Sequence, residues 1–215
     1  MEKTTIKFCG FTNTNDIKYA LDCDIDYIGL IFTEKSPRCI SINQAEKLCQ
    51  LCDGKKNIVG VFMDQPKKFV ENMIDNLNLN FLQFHGNESY DYCNSFNHKY
   101  TKTLHINDPD YEFNIINKYH DAYAFLLDTN IGDIKGGTGK TFDWSLIDKY
   151  KNNKYKVTKP LMIAGGLNPD NVMSLIDQYK PYGVDVNSGI ESKVGKKDYL
   201  LMKKFIENVR MSDKD

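Results

Sequence analysis

The sequence predicts a single α/β domain folded as a (β/α)8 barrel, the TIM barrel, and three observations lead to this prediction. Short apolar runs, typical of strands buried on both faces, alternate eight times with amphipathic stretches along the 215 residues. Such regular alternation indicates a parallel sheet with right-handed crossovers, and eight unbroken units favour a closed barrel over an open sheet. The sequence G-x-G-x-x-G does not follow the first strand, which argues against a dinucleotide-binding fold. We expect the barrel to occupy residues 1–210 and a polar tail to occupy residues 211–215.

Each strand is predicted from a short apolar run between turn-forming residues. The predicted strands are residues 5–9, 27–32, 57–62, 81–85, 102–106, 123–128, 160–164 and 183–186. Each helix is predicted from apolar residues at helical spacing, such as Phe69, Met73 and Leu77 in the third helix. The predicted helices are residues 13–21, 43–52, 66–77, 88–96, 110–119, 142–150, 169–179 and 199–209. Two connections are long, residues 33–42 and 129–141, and we expect the glycine-containing second one to be a mobile lid or binding loop.

Composition and charge bound the class of protein. The formal net charge is −1, so we expect no long-range attraction to nucleic acid or to an anionic membrane. No apolar run reaches the ~18 residues of a membrane-spanning helix, and we expect no secretory signal because the chain leads from Met1 directly into a strand pattern. The six cysteines are expected to be reduced thiols of a cytoplasmic protein. Cys49 and Cys52 form the only CxxC pair, and without a second pair of ligands they do not predict a zinc site.

Glycines follow the last two predicted strands. Gly165 and Gly166 come after the seventh strand, and Ser188 and Gly189 come after the eighth. Glycine exposes backbone N–H groups because no Cβ covers them, and the loops after the last two strands of a barrel commonly hold a phosphate. Either turn alone would be read as an ordinary connection between a strand and a helix. Both together predict a phosphate site.

Reactive side chains are expected at the carboxyl ends of the strands of a barrel. Three predicted strand ends carry a thiol, an imidazole and a carboxylate, which belong to Cys9, His85 and Asp128. The connection at 33–42 adds the guanidinium of Arg38. Each residue alone has a structural alternative, because a cysteine at a strand end commonly packs in the core and an aspartate there often caps a helix. Their convergence on one phosphate site favours an enzyme.

At these positions the chain resembles the N-(5'-phosphoribosyl)anthranilate isomerase family of tryptophan biosynthesis. The matching segments keep the family's order over essentially the whole chain, and they are KFCG at 7–10, SPR at 36–38, VGVF at 59–62, QFHGNE at 83–88, LDT at 127–129, GGTG at 136–139, FDW at 142–144, AGGL at 164–167, DVNSGIE at 185–191 and GKKD at 195–198. The departures are Phe8 and Phe84, where a smaller aliphatic residue is common, and Asn187, where serine is common. All three departures leave the polar groups of the site in place.

The resemblance implies a reaction and roles for several residues. The family reaction is an Amadori rearrangement of N-(5-phosphoribosyl)anthranilate to 1-(2-carboxyphenylamino)-1-deoxyribulose 5-phosphate. It needs one proton delivered to the ring oxygen and one removed from C2, and two positioned proton carriers meet that need. The resemblance implies that Asp128 is the general acid, that Cys9 is the general base and that Arg38 binds the anthranilate carboxylate, for which a planar guanidinium is well suited. It implies no metal and no organic cofactor.

Further residues are expected to line this site. Side-chain alternation places Lys7 and Cys9 on the same side of the first strand, so Lys7, or alternatively Arg38, would stabilise a thiolate. Asp128 must hold its proton to act as an acid, and removal of water from the barrel mouth would favour this. We expect His85 and Asp185 to contact substrate in roles that the sequence does not separate. The partner is expected to be a small phosphorylated molecule, with neither nucleic acid nor membrane, and the protein to be a monomer or a homodimer.

Two other functions remain open at this point. One is another phosphate-binding barrel enzyme, such as an indole-glycerol-phosphate synthase or a thiamine phosphate synthase. The first of these uses a lysine and a glutamate at its strand ends, where this chain has Cys9. The other is a non-catalytic barrel that only binds a ligand. Loss of Cys9 or Asp128 would indicate such a barrel, but both residues are present.

Overall fold

Eight parallel strands close into a barrel in the computed structural model, which confirms the predicted fold class. The structure describes residues 3–105, 116–128, 144–145, 147–148 and 159–214. Each strand pairs with the next along the chain, and the eighth pairs with the first, so that the sheet has no edge. The strands are β1 Thr5–Cys9, β2 Tyr27–Ile31, β3 Asn57–Phe62, β4 Phe81–Phe84, β5 Tyr100–His105, β6 Ala124–Asp128, β7 Leu161–Ile163 and β8 Gly183–Val186.

Helices lie between the strands, and polar side chains cap several of them. The helices with described bounds are α1 Thr14–Leu21, α2 Ile42–Cys52, α3 Lys67–Asn76, α4 Tyr90–Asn94, α5 Val172–Tyr179 and α6 Tyr199–Ser212. Asn13, Ser41 and Ser89 accept a hydrogen bond from the backbone N–H three residues later, which satisfies a donor of the first helical turn. Among the residues that the structure describes, no helix is long and apolar enough to cross a membrane.

Some predicted segments differ from the structure or lie beyond its reach. The fifth strand begins at Tyr100, two residues earlier than predicted, because Tyr100 and Thr101 already pair with β4. Helix α6 continues through Met211 and Ser212, where the polar tail was predicted to begin. The predicted lid at 129–141 lies outside the described residues, as do most of the predicted helices 110–119 and 142–150.

The main hydrophobic core lies between the barrel and its helices, and the interior of the barrel is more polar. Phe8 of β1 packs edge-on against Phe205 of α6 with ring centroids 5.8 Å apart, and this layer continues around the sheet. Successive side chains of a strand alternate between the two faces. The inward-facing positions therefore include buried polar residues, namely Lys7, Gln83, Thr101, Thr103 and Asp185. Burial of so many polar groups in a barrel interior is typical of a functional site.

A short hairpin between β8 and α6 was not predicted. A 3₁₀ turn at Ser188–Ile190 leads into β9, Glu191–Lys193, which pairs antiparallel with β10, Lys196–Lys197. Gly195 in the connecting turn has a φ of +75°, in the left-handed region that favours glycine. The hairpin lies at the carboxyl end of β8 and therefore at the end of the barrel where the candidate residues gather.

Candidate active site

Cys9, Lys7 and Asp185 meet at the junction of β1, β2 and β8. Lys7 Nζ lies 2.8 Å from Asp185 Oδ2, and both side chains are almost fully buried. A methyl group at Gly29 of β2 would lie 2.7 Å from Cys9 Sγ and 3.1 Å from Lys7 Nζ. Both side chains therefore lie over this glycine, as the predicted alternation along β1 requires. The structure confirms that Lys7 and Cys9 share one side of the strand.

The charges around Cys9 oppose one another. Burial raises the pKa of the Cys9 thiol above its ordinary value, the positive charges of Lys7 and Lys197 lower it, and the negative charge of Asp185 adds to the effect of burial. Burial lowers the pKa of Lys7, but Asp185 and Cys9 outweigh it, so this pKa lies above its ordinary value and Lys7 stays protonated. The sequence predicted Lys7 or Arg38 as the cation near the thiol. The structure has Lys7 near the thiol, and the second nearby cation is Lys197, not Arg38.

Asp128 and His85 meet at the ends of β6 and β4. Nε2 of His85 lies 3.3 Å from Oδ2 of Asp128, and both side chains are mostly buried. The other ring nitrogen, Nδ1, lies 3.1 Å from Nε2 of Gln83 and 3.1 Å from Oγ1 of Thr103. Because an amide nitrogen is a donor, Nδ1 accepts and Nε2 carries the proton that faces Asp128. Nε2 of His105 lies 2.7 Å from the carbonyl oxygen of His85. This contact holds the backbone at the end of β4.

Arg38 lies in a cluster of charged and polar side chains that the sequence did not predict. Its Nε and Nη2 donate to the two carboxylate oxygens of Glu191 at 2.8 and 2.6 Å. Lys197 Nζ donates to Oε1 of the same carboxylate at 3.0 Å, and to the backbone and side-chain oxygens of Asn187 at 3.1 Å each. We call Arg38, Asn187, Glu191 and Lys197 the Arg38 cluster. One edge of the guanidinium is thus occupied by Glu191 in this structure.

The two glycine turns lie against each other at the ends of β7 and β8. Gly165 and Gly166 have φ values of +85° and +66°, in the left-handed region. A methyl group at Gly189 would overlap the carbonyl oxygen of Leu167, so the turn after β8 approaches the turn after β7 as closely as a glycine allows. Ser188 is exposed, and Gly165, Gly166 and Gly189 are half-buried. The structure therefore brings the four predicted phosphate-binding residues into adjoining turns.

The structure also shows which site residues sequence reasoning missed. Glu191 and Lys197 lie on the hairpin β9–β10, whose short polar strands carry no hydrophobic pattern. Gln83 and Thr103 are inward-facing strand residues. The alternation of side chains along β4 and β5 could have predicted that they lie on the same face as His85. For Glu191 and Lys197 the only signal was their position in the segments DVNSGIE and GKKD.

Comparisons with known proteins agree with this geometry. The family model described as N-(5'phosphoribosyl)anthranilate (PRA) isomerase matches residues 6–208. An N-(5'-phosphoribosyl)anthranilate isomerase of Legionella pneumophila (strain Paris) is 39% identical over 204 residues, which cover 95% of this chain and 96% of that protein. The enzyme of the same name from Pseudomonas aeruginosa (strain LESB58) is 36% identical over 215 residues, or 100% of this chain and 99% of that protein.

Solved structures are similar over nearly the full length. A crystal structure of phosphoribosyl anthranilate isomerase from Thermotoga maritima has a TM-score of 0.86 and 33% identity, and covers 97% of this chain and 99% of that one. A phosphoribosyl anthranilate isomerase in complex with reduced 1-(o-carboxyphenylamino)-1-deoxyribulose 5-phosphate has a TM-score of 0.82, 31% identity and the same coverage. With a matching family model and relatives well above 30% identity over almost all its length, this chain belongs to the N-(5'-phosphoribosyl)anthranilate isomerase family.

Proposed function

We propose that this chain converts N-(5-phosphoribosyl)anthranilate into 1-(2-carboxyphenylamino)-1-deoxyribulose 5-phosphate in tryptophan biosynthesis, with Asp128 as general acid and Cys9 as general base. The observation that carries the proposal is the placement of the two groups. Cys9 ends β1 and Asp128 ends β6, with β7 and β8 between them around the barrel. The two proton carriers therefore stand on separate walls of one barrel mouth, which suits one transfer to the ring oxygen and another from C2.

Asp128 opens the sugar ring. It donates a proton to the ring oxygen as the bond between C1 and that oxygen breaks, and the lone pair of the anthranilate nitrogen forms the C1 iminium. His85 Nε2 holds Oδ2 of Asp128 at 3.3 Å, so the other carboxyl oxygen carries the proton that is delivered. Gln83 and Thr103 hold the remaining nitrogen of the imidazole and keep its orientation fixed.

Cys9 then removes the proton from C2. The electrons of the C2–H bond form the C1–C2 double bond and neutralise the iminium, and the enol formed becomes the ketone as its hydroxyl loses a proton and C1 gains one. The thiolate is the base, and burial alone disfavours it. The positive charges of Lys7 and Lys197 oppose that effect, and the iminium adds a third positive charge at the moment when the thiolate is needed.

The remaining residues bind the substrate. The backbone N–H groups of the turns that hold Gly165, Gly166, Ser188 and Gly189 take the phosphate, because glycine leaves these groups uncovered. Arg38 takes the anthranilate carboxylate through donors that Glu191 does not use. Oδ1 of Asp185 is buried and has no hydrogen-bond partner among the described residues, which supports a role for Asp185 in accepting a hydrogen bond from a sugar hydroxyl.

We place the enzyme in the cytoplasm, as a monomer or a homodimer. All six cysteines have free thiols in the structure, which supports a reducing compartment. The residues to which the proposal gives roles, namely Cys9, Asp128, Arg38 and the glycine turns, all belong to a single barrel.

The test is a substrate assay with purified protein. Freshly prepared phosphoribosylanthranilate is fluorescent, and the account predicts that its fluorescence falls with time as one equivalent of ketose product forms. A shift in emission without consumption of substrate would show a binding protein instead of an enzyme. Supplied with the ketose 1-(2-carboxyphenylamino)-1-deoxyribulose 5-phosphate instead, the alternative phosphate-binding barrel, an indole-glycerol-phosphate synthase, would release carbon dioxide and form an indole.

A further inference from the structure

Glu191 is a buried carboxylate to which the mechanism above gives no role. Only 3% of its side chain is exposed, yet it contacts two cations, Arg38 on the loop after β2 and Lys197 on β10. Burial raises the pKa of Glu191, but hydrogen bonds and charges of Arg38 and Lys197 outweigh it and hold the pKa below its ordinary value. Glu191 is therefore ionised. Burial lowers the pKa of Lys197, and Glu191 and the Cys9 thiol oppose that effect. With Lys197 protonated, the two cations and one carboxylate leave one net positive charge in the Arg38 cluster.

The hairpin β9–β10 fixes the carboxylate and its lysine. Glu191 and Lys197 are directly opposite each other across the two strands, the arrangement in which side chains of neighbouring strands interact. The side chain of Lys197 is fully buried, and its backbone N–H donates to Asp16 at 2.8 Å. Asn187 accepts from Nζ of Lys197 through two oxygens. Glu191 is thus held by elements that pack on the barrel, and it does not move freely with Arg38.

The bond pattern at Arg38 distinguishes the two edges of its guanidinium. A guanidinium can make parallel pairs of hydrogen bonds along the edge formed by Nε and one Nη, or along the edge formed by both Nη atoms. Glu191 occupies Nε and Nη2. Nη1 has no hydrogen-bond partner among the residues that the structure describes, so the edge of Nη1 and Nη2 is the one that remains for a second carboxylate.

We propose that Glu191 is a positioning residue that selects the edge of Arg38 presented to the anthranilate carboxylate. Lys197 compensates the charge of Glu191, so that Arg38 keeps its positive charge for the substrate while its orientation is fixed. The inference rests on the proposed function, because it requires that Arg38 receives the carboxylate of phosphoribosylanthranilate. Glu191 itself acts only through Arg38 and does not contact the substrate.

The experiment compares two substrates. One is phosphoribosylanthranilate, and the other is phosphoribosylaniline, which lacks the carboxylate. We define carboxylate discrimination as kcat/KM for the first substrate divided by kcat/KM for the second. The ratio cancels any general loss of stability or of Cys9 reactivity, because such losses affect both substrates equally.

Glu191→Gln removes the negative charge of Glu191 and keeps the shape of its side chain. We expect carboxylate discrimination to fall by about 10- to 100-fold, because a misplaced binding group costs up to that factor. Arg38→Ala should lower it at least as far, and Glu191→Gln combined with Arg38→Ala should have the same discrimination as Arg38→Ala alone. The matched control is Glu88→Gln, which removes another buried carboxylate that is paired with a lysine, Lys102, and should leave the discrimination unchanged.

A second variant separates position from charge. Glu191→Gln with Lys197→Met keeps the net charge of the Arg38 cluster at one and removes the buried lysine that Glu191→Gln alone would leave without its carboxylate, so we expect it to fold more readily than the single variant. The proposal predicts that this variant also loses carboxylate discrimination. If this double variant keeps the carboxylate discrimination of the wild type, net charge alone binds the carboxylate and the proposal is overturned.

The remaining outcomes are distinguishable from failure of the proposed function. If the wild type consumes no phosphoribosylanthranilate, the proposed function and the inference fail together. If Arg38→Ala keeps wild-type discrimination, the placement of the substrate carboxylate on Arg38 is wrong. A third outcome is that Arg38→Ala loses carboxylate discrimination while Glu191→Gln keeps or increases it. In that case Glu191 is structural or competes with the substrate for Arg38, and only the positioning role is wrong.

Discussion

Cys9 depends on a glycine of the neighbouring strand for its position. Gly29 lies opposite Cys9 in the register of β1 and β2, and its missing side chain makes room for the thiol and for the ammonium group of Lys7. Any side chain at this position would displace the Cys9 thiol from its position at the end of β1. With Cys9 as the proposed general base, we expect the residue at position 29 to affect catalysis as well as packing.

Gly29→Ala tests this dependence. The added methyl group would lie 2.7 Å from Cys9 Sγ, and such overpacking costs about 1–3 kcal/mol of stability. We expect kcat to fall by roughly 100-fold as the thiol is displaced, with the loss measured by steady-state kinetics and the stability by thermal unfolding. Gly60→Ala is the control, because its methyl group would lie 2.8 Å from Leu79 in the outer core and should destabilise similarly without loss of kcat. Equal kcat in the two variants would contradict the placement of Cys9.

At this scale the sequence predicts some residues and not others. Cys9 and Asp128 could be found because an apolar run shows where a strand ends, and His85 directly follows the fourth run. The pair of Arg38 with Glu191 joins residues 153 positions apart, and no local pattern indicates such a contact. The contact of Cys9 with Gly29 depends on the register of two strands, which periodicity alone does not give.

The turns after β7 and β8 act as one element. Gly189 touches the carbonyl oxygen of Leu167, and Asn171 fastens the first turn by donating from Nδ2 to the carbonyl oxygen of Gly166 at 3.0 Å. A phosphate bound between them would need backbone N–H groups from both turns within hydrogen-bond distance. The proposed phosphate site thus depends on the distance between the turns and not on either turn alone.

Gly189→Ala should separate the two turns. Because the methyl group cannot be accommodated against Leu167, we expect the dissociation constant of a phosphorylated product analogue to rise by about tenfold or more, since this substitution displaces phosphate-binding groups. The constant can be measured by calorimetric titration. In Gly54→Ala, at a turn before β3, the methyl group meets no described atom within 4 Å, and the affinity should stay at the wild-type value. Unchanged affinity in Gly189→Ala would contradict a phosphate site between these turns.

Elements differ in how well the sequence predicts them. All eight strands were predicted, and β1, β3 and β8 have the predicted bounds. Most of them are buried apolar runs, whereas β5 contains Thr101, Lys102 and Thr103 and begins earlier than predicted. The hairpin β9–β10 was missed because its strands of three and two residues are polar and exposed apart from Lys197 and part of Glu191. Its contact with Arg38 is a tertiary interaction, which no local pattern indicates.

The two ends of the described chain are joined beside the amino-terminal end of the barrel. Arg210 of α6 donates to the carbonyl oxygen of Thr4 at 2.7 Å and to Asp24 and Asp213 at 2.6 and 2.8 Å. Asp213 in turn accepts from the backbone N–H of Thr4 at 3.0 Å. These bonds attach the last helix to the strand that closes the barrel, so we expect them to stabilise the whole molecule.

Arg210→Met should therefore lower the melting temperature. A few hydrogen bonds to charged groups contribute about 2 kcal/mol, which corresponds to roughly 4–8 °C for a chain of this size. Lys203→Met, which breaks an exposed pair with Glu207 at 3.8 Å on the same helix, is the control and should change the stability by about 0.5 kcal/mol or less. A melting temperature as high as that of the control would show that Arg210 does not contribute to closure.

The effect of Arg210→Met should also depend on pH. Lys3 lowers the pKa of Asp24, burial opposes this, and Arg210 lowers the pKa further. Burial raises the pKa of Asp213, but Thr4 and Arg210 outweigh it and hold the pKa below its ordinary value. A carboxyl whose pKa is lower in the folded state stabilises above its unfolded pKa and loses this contribution as pH falls through the folded pKa. The difference in melting temperature between wild type and Arg210→Met should narrow below about pH 4.

Turnover and ligand affinity of Cys9→Ser and Asp128→Asn test the roles of the two proposed proton carriers. We expect each substitution to lower kcat for phosphoribosylanthranilate by about 10²–10⁴-fold, since each removes one proton carrier. The affinity for a phosphorylated product analogue should change far less, because the phosphate turns and the Arg38 cluster remain intact. Near wild-type turnover in either variant would contradict the assignment of that residue as acid or base.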